Sequence, residues 1–303
     1  MVVATICKLM LAVGAGFFLS RKGIFNGEIN QKLSYFIINI CLPLLIVVSM
    51  NGTEDMDKGE FTRYILTGIC FYLVLPFFSK LLNIVTRVDK EDRPIYEAFY
   101  LFSNNTFLGY PIAASLYGNS CIFHLIVFNL GFDLMYYTYG MRLFDRSGEE
   151  REKLSLKKMI NPGVVASLAA VIFFFFDIRL PQGVEDACSF LGDLASPLSM
   201  VVIGSTIGAY PLKDLFRGEK RLYFVSFVRL ILLPAITYGV MTLLGYSGIL
   251  RGIAVISMAM PVAAMVSMGC VEHEYNEKLG TAGVIVTTTL SLLTIPALLA
   301  IPW

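Results

Sequence analysis

Charge is what this sequence has least of. Its 303 residues include 24 Lys and Arg and 23 Asp and Glu, 16 % in all, where a soluble chain carries about 25 %. A nucleic-acid binder needs a basic face, and no such face can be assembled from so few cations at a net charge of +1. Histidine is scarcer still: His124 and His273 stand alone. None of the six cysteines, Cys7, Cys41, Cys70, Cys121, Cys188 and Cys270, forms a C-x-x-C pair. A zinc site of the His/Cys type therefore has too few ligands, and no metal or other cofactor is implied. The cysteines lie in or beside apolar stretches and read as small buried apolar residues; His124, with no titratable neighbour in sequence, reads as structural. A nucleophile with its base, a paired-aspartate motif and intramembrane metal ligands are all missing, so a membrane-embedded enzyme has nothing to work with. No polar run is long enough to make a soluble output domain, which a sensor would need.

What remains is apolar. Hydrophobic residues make up 56 % of the chain and its mean hydropathy is +0.69, more apolar surface than a globule of this size hides from water. Runs long enough for membrane helices lie at about 2–20, 33–50, 62–82, 96–117 and 119–140, and again at about 160–177, 186–209, 221–244, 249–271 and 279–301. The first has no basic leader and is followed at once by Arg21 and Lys22, as expected of a first helix with its N-terminus outside rather than a signal peptide. Sorting basic residues by loop tests the count. Odd-numbered loops hold 18 of the 24 Lys and Arg, and even-numbered loops hold Lys58, Arg63, Arg179 and Arg251. A missed or invented helix would swap the parity of every later loop. The expected fold is an all-α polytopic membrane protein of ten transmembrane helices with both termini outside.

The prolines repeat. Pro43-Leu-Leu-Ile-Val-Val in helix two matches Pro197-Leu-Ser-Met-Val-Val in helix seven, Leu75-Pro76 matches Leu233-Pro234, and Pro111-Ile-Ala-Ala matches Pro261-Val-Ala-Ala, in one order and at nearly one spacing. Proline is common in membrane helices, but here the neighbouring residues agree too. The chain thus divides into a five-helix repeat over 1–140, a cytoplasmic linker over 141–159 and a second repeat over 160–303. Because five is odd, the second repeat is inverted.

Helices four and nine are expected to be broken. Ser103-Asn104-Asn105-Thr106 with Gly109 and Pro111 crowds polar and helix-breaking residues into an apolar run, and the less polar Ser257-Met258-Ala259-Met260-Pro261 interrupts its counterpart at similar depth. Paired interruptions in inverted repeats point to a transporter binding site near the membrane midplane. The small residues after each proline, Ala113, Ala114, Ala263 and Ala264, permit close approach. Half-helix N-termini favour an anion such as a carboxylate, and carbonyls with Asn side chains suit a cation; polar glue between helices is the plainer alternative for Asn104 and Asn105. With so few intramembrane charges, an anion would be held by Asn side chains and amides rather than by a dedicated Lys or Arg. In helix five, Asp133 with Asn129 one turn before it suits a proton or ion relay, a substrate contact, or a structural partner for Arg229. Arg229 otherwise snorkels, as Lys8 is expected to do. Asp193 reads as vestibule, cap or interfacial, and Glu272-His273-Glu274 as a solvated face. Thr287, Thr288, Thr289 and Ser291 either line a pathway or return their hydroxyls to the backbone.

In order along the chain, Gly16-Phe-Phe-Leu-Ser-Arg-Lys-Gly23, Cys41-Leu-Pro-Leu-Leu45, Asn104-Asn-Thr-Phe-Leu-Gly-Tyr-Pro-Ile112, Asn161-Pro162, Ile203-Gly204, Met260-Pro261 and Thr288-Thr-Leu-Ser-Leu-Leu-Thr-Ile-Pro296 resemble the auxin efflux carrier family over essentially the whole chain. The short break between halves resembles its bacterial branch, whose members include permeases for dicarboxylates such as malate or malonate. More distantly the chain is similar to the sodium-coupled bile-acid carriers. The resemblance implies a scaffold of helices one, two, six and seven and a moving domain of helices three to five and eight to ten, with helices four and nine crossing at their prolines. Carried onto this sequence, the substrate site is Asn104, Asn105, Thr106, Pro111, Ile112, Met260, Pro261, Val262 and Asn129, with Asp133 for coupling. Ile112 departs from plant carriers, which commonly place Asn after that proline. The function so implied is elevator-like transport of a small organic anion across a bacterial inner membrane, with Na+ or H+ as the coupling ion and a homodimer compatible with such a chain.

Overall fold

The computed structural model describes residues 2–52, 56–144, 161–210 and 220–299. Its helices, in chain order, are α1 (Val2–Arg21), α2 (Gly27–Ser49), α3 (Lys58–Val85), α4 (Arg93–Leu101), α5 (Tyr110–Tyr117), α6 (Cys121–Phe144), α7 (Pro162–Phe175), α8 (Gln182–Ala209), α9 (Lys220–Leu243), α10 (Gly248–Ala259), α11 (Ala264–Glu272) and α12 (Glu277–Leu299). Among the described residues α2, α3, α6, α8, α9 and α12 are each long and apolar enough to cross a membrane. Large apolar side chains cover their outward faces, as at Leu243, which is 89 % exposed, a surface that suits lipid and not water. The molecule is an all-helical, multi-pass membrane protein.

Local chemistry sets the helix starts. Asn26 accepts the Ile29 amide at 2.9 Å and so caps α2, six residues before the apolar run at 33–50. The charged residues there form the first turns, joined by a Lys32 to Glu28 pair at 2.6 Å. Asn161 caps α7 through the Val164 amide at 3.0 Å, with Pro162 in the first turn. Of the 141–159 linker, Met141–Phe144 continue α6 and the rest lies outside the described residues. The cysteine expectation needs correcting. Cys41, Cys121 and Cys270 are buried, Cys188 is partly exposed, and Cys7 and Cys70 are exposed. In a membrane protein the exterior is as apolar as the interior, so a small apolar residue has no reason to prefer the core.

The chain forms two compact units, the first built from residues 1–61, 106–126 and 156–211 and the second from 62–105, 127–155 and 212–303. In the first, α1 packs along the second half of α8. A Cβ added to Gly204 would fall 1.9 Å from the Val13 carbonyl oxygen, so the backbones touch only because Gly has no side chain. Arg179 donates to the carbonyls of Met50 and Asn51 at 3.0 and 3.1 Å, closing the C-terminal end of α2. The second unit holds α4, α9, α10, α11, α12, most of α3 and the latter part of α6.

Three prolines share a local device. A π-helical turn at Ile37–Cys41 precedes Pro43, one at Asn105–Gly109 precedes Pro111, and one at Val228–Leu232 precedes Pro234. Proline lacks the amide hydrogen and pushes on the carbonyl one turn back; the wider turn gives that carbonyl room. These prolines are therefore accommodated and do not break their helices.

Candidate functional site

The breaks lie elsewhere in the first half than at its proline. α4 stops at Leu101 because Phe102 takes an extended backbone, φ −103° and ψ 108°. α10 stops at Ala259, with Met260 extended at φ −70°, ψ 144° and Ala263 at φ −68°, ψ 142°. The two extended segments pair antiparallel, Ser103 opposite Val262. The Asn104 amide donates to the Pro261 carbonyl at 2.8 Å and the Ala263 amide to the Phe102 carbonyl at 2.9 Å. Broken backbone in lipid must find partners, and here each break supplies them to the other. Thr287 on α12 completes the set: its hydroxyl accepts the Val262 amide at 3.1 Å and donates to the Gly283 carbonyl at 2.8 Å.

Arg229, at the π turn of α9, closes the crossover from one side and is fully buried. Its Nε donates to the Met260 carbonyl at 3.0 Å, one Nη to the Tyr100 carbonyl at 2.5 Å, and the other Nη to the Ser103 hydroxyl. Both carbonyls terminate interrupted helices, where partial negative charge collects. Among the described residues no carboxylate pairs with this guanidinium. Arg229 neither snorkels nor pairs with Asp133, the two roles its sequence position suggested. Its partners are the Ser103 hydroxyl and two backbone carbonyls left free where α4 and α10 stop, and no residue pattern announces those carbonyls.

Beside the crossover lies a buried amide cluster. Asn105 donates through Nδ2 to Asn129 Oδ1 at 2.9 Å and to the Tyr72 hydroxyl at 3.3 Å, and Tyr72 donates to Asn129 Oδ1 at 3.2 Å. Asn105 and Asn129 are each 4 % exposed. The other ends of both amides, Asn105 Oδ1 and Asn129 Nδ2, are buried without a hydrogen-bond partner, an acceptor and a two-hydrogen donor left over. Two glycines bring the cluster together. A Cβ on Gly68 of α3 would meet the Phe128 carbonyl oxygen of α6 at 2.0 Å, and one on Gly131 would meet the Gly68 carbonyl carbon at 2.7 Å. That contact sets Tyr72, one turn after Gly68, against Asn129. The ring of Phe132 stands edge-on to Tyr72 (5.6 Å, 80°) and to Phe102 (5.8 Å, 87°), tying the cluster to the break.

Of the expected site residues, Asn104, Asn105, Asn129, Met260, Pro261 and Val262 come together in the second unit, and Asp133 is half-buried one turn beyond Asn129. Thr106, Pro111 and Ile112 belong to the first unit, with Pro111 and Ile112 buried. The antiparallel pairing is centred on Ser103 rather than Pro111. Lys8 is exposed, His124 is buried with Nδ1 3.1 Å from the Ser120 carbonyl, and Asp193 accepts from Asn119 at 3.1 Å. Sequence reasoning passed over Tyr72 and also Glu97, a buried carboxylate on α4 that accepts from the Tyr139 hydroxyl at 2.5 Å. A Glu inside the apolar run at 96–117 was the available signal.

Residues 1–299 match the family described as membrane transport protein. The chain belongs to this family. It is the family of the auxin efflux carriers, which the ordered motifs resemble. Relatives of nearly equal length support the assignment. An "Uncharacterized transporter" of Methanothermobacter thermautotrophicus is 23 % identical over 96 % of this chain and 95 % of its own. Another "Uncharacterized transporter", from Methanocaldococcus jannaschii, is 24 % identical over 95 % of this chain and 94 % of its own. A protein of Rhizobium meliloti named "Putative malonate transporter" is 22 % identical over 94 % of this chain and 90 % of its own. The family is one of membrane transporters.

Proposed function

We propose that this member of the family is a secondary transporter of a small organic anion, a mono- or dicarboxylate of malonate or malate size. The observation that carries the reading is the buried Asn105–Asn129–Tyr72 cluster, whose Asn129 Nδ2 has no protein acceptor. A carboxylate is the ligand type that unpaired amide donors hold. The adjacent Arg229 adds positive potential without exposing a nitrogen to compete for it. The name of the Rhizobium relative supports malonate as the first compound to test. Substrate contacts would come from Asn104, Asn105, Asn129, Met260, Pro261 and Val262 of the second unit, with Asp133 as the coupling group.

The reading includes ten membrane passes in two inverted repeats, α4 with α5 and α10 with α11 each making one interrupted pass. The matched prolines and the antiparallel meeting of the two breaks support it. It also includes elevator-like motion of the second unit and a bacterial inner membrane with both termini outside. Proteoliposome uptake over a panel of mono- and dicarboxylates tests the central claim: saturable malonate or malate uptake that Asn129→Ala weakens is the expected result. Absence of saturable flux for every member, with folded protein confirmed, overturns it.

A further inference from the structure

We infer that Arg229 is a tethered cation, standing at the crossover where a transporter of this kind would otherwise hold a bound metal ion. Unwound carbonyls and half-helix C-terminal ends are the groups that hold sodium in transporters with broken helices, and hard monovalent and divalent cations take oxygen ligands of this kind. Here the Tyr100 and Met260 carbonyls and the Ser103 hydroxyl all converge, and all three accept from one guanidinium. A lone buried cation is costly, yet this one is fully buried with no carboxylate partner among the described residues. Its compensation is the negative ends of two helices that stop within reach of it. The planar fork matters: a single nitrogen does not span acceptors on two helices, whereas Nε and the two Nη groups do.

The assignment deepens the transport reading of the same crossover and rests on it for one consequence: the charge balance of the site is permanent, so substrate transport needs no sodium there. It bears also on specificity, since a fixed positive charge beside the amide cluster favours anions in every state the unit visits.

The test uses the purified full chain in detergent and in proteoliposomes. In the wild type, replacing NaCl by choline chloride at equal ionic strength is expected to leave the melting temperature and malonate uptake unchanged. Stabilisation by sodium overturns the inference. Arg229→Ala is expected to melt lower and to recover part of the loss in about 10 mM guanidinium chloride, far below denaturing concentrations, or in sodium. A variant indifferent to both overturns it, because a purely packing role would not respond to small cations. If Arg229→Ala does not fold, Arg229→Lys serves: it is expected to melt lower than wild type and remain indifferent to sodium, and a gained sodium response overturns the inference. Failure of malonate uptake in both salts would count against the proposed substrate while leaving the thermal result for Arg229 standing.

Discussion

Tyr72 carries one hydroxyl, and it meets both amides of the site, accepting from Asn105 and donating to Asn129. Removing it leaves two buried amides to rearrange without a third partner. A hydrogen bond of this kind contributes about 1 kcal/mol net, so Tyr72→Phe is expected to raise the KM for the proposed carboxylate substrate about fivefold while the protein melts within a few degrees of wild type; unchanged uptake kinetics would place the cluster outside the substrate path. Asp133 is a separate question on the same helix. Asp133→Asn is expected to preserve uptake and alter its pH profile, measured in proteoliposomes from pH 5 to 8, and an unchanged profile would make Asp133 a structural residue. The asparagines and Asp133 were legible in the sequence because polar groups are rare in apolar runs. Tyr72 was not, since an aromatic residue in a membrane helix is ordinary until its hydroxyl is seen to have partners.

Between residues and the whole lie the interrupted helices, and here the sequence was half informative. Two breaks were expected, and two are present. Pro261 lies within the second, and the first falls at Phe102–Asn104, overlapping the polar stretch from Ser103 that the sequence marks but upstream of the expected crossing point at Pro111. The difference is physical. A proline after a π turn is relieved of its clash and can start a helix, whereas the stretch from Phe102 unwinds because its amides and carbonyls gain partners on the opposite break. Those partners are distant in sequence and invisible to local propensity. The same unit depends on α3 and α6 touching through Gly68 and Gly131. Gly131→Leu is expected to wedge them apart, lowering the melting temperature and abolishing uptake, because overpacking a close contact typically costs about 1–3 kcal/mol and displaces both site helices. Gly239→Ala on α9, where an added Cβ meets nothing within 4 Å, is the control and is expected to transport normally.

For the whole molecule, the shortage of charge placed the chain in lipid and the distribution of its cations proposed a topology. Both termini are expected outside. Tags at each end should be accessible to an impermeant reagent on intact cells, and a Cys introduced at Arg87 should not be; the reverse pattern would invert the topology. The division into two units was not legible from hydropathy. Three of its five boundaries, at 61, 105 and 126, fall within or beside continuous apolar runs, because apolar periodicity records only that a segment is in the membrane and not which neighbours it keeps.

The π turn at Val228–Leu232 gives α9 one residue more than an α-helical turn would hold. It acts as a phase shift. Leu222, Val225 and Ser226 are buried before it, and Arg229, Leu233, Thr237 and Met241 are buried from it onward. Excising a single residue there would let the helix close into ordinary α geometry and turn one stretch by about 100° against the other. Either the early stripe would swing off its neighbours or the guanidinium would leave the crossover. The spacing between the two is therefore as much a part of the site as the arginine itself, and a chain one residue shorter at this point would need a different way to hold its broken helices together.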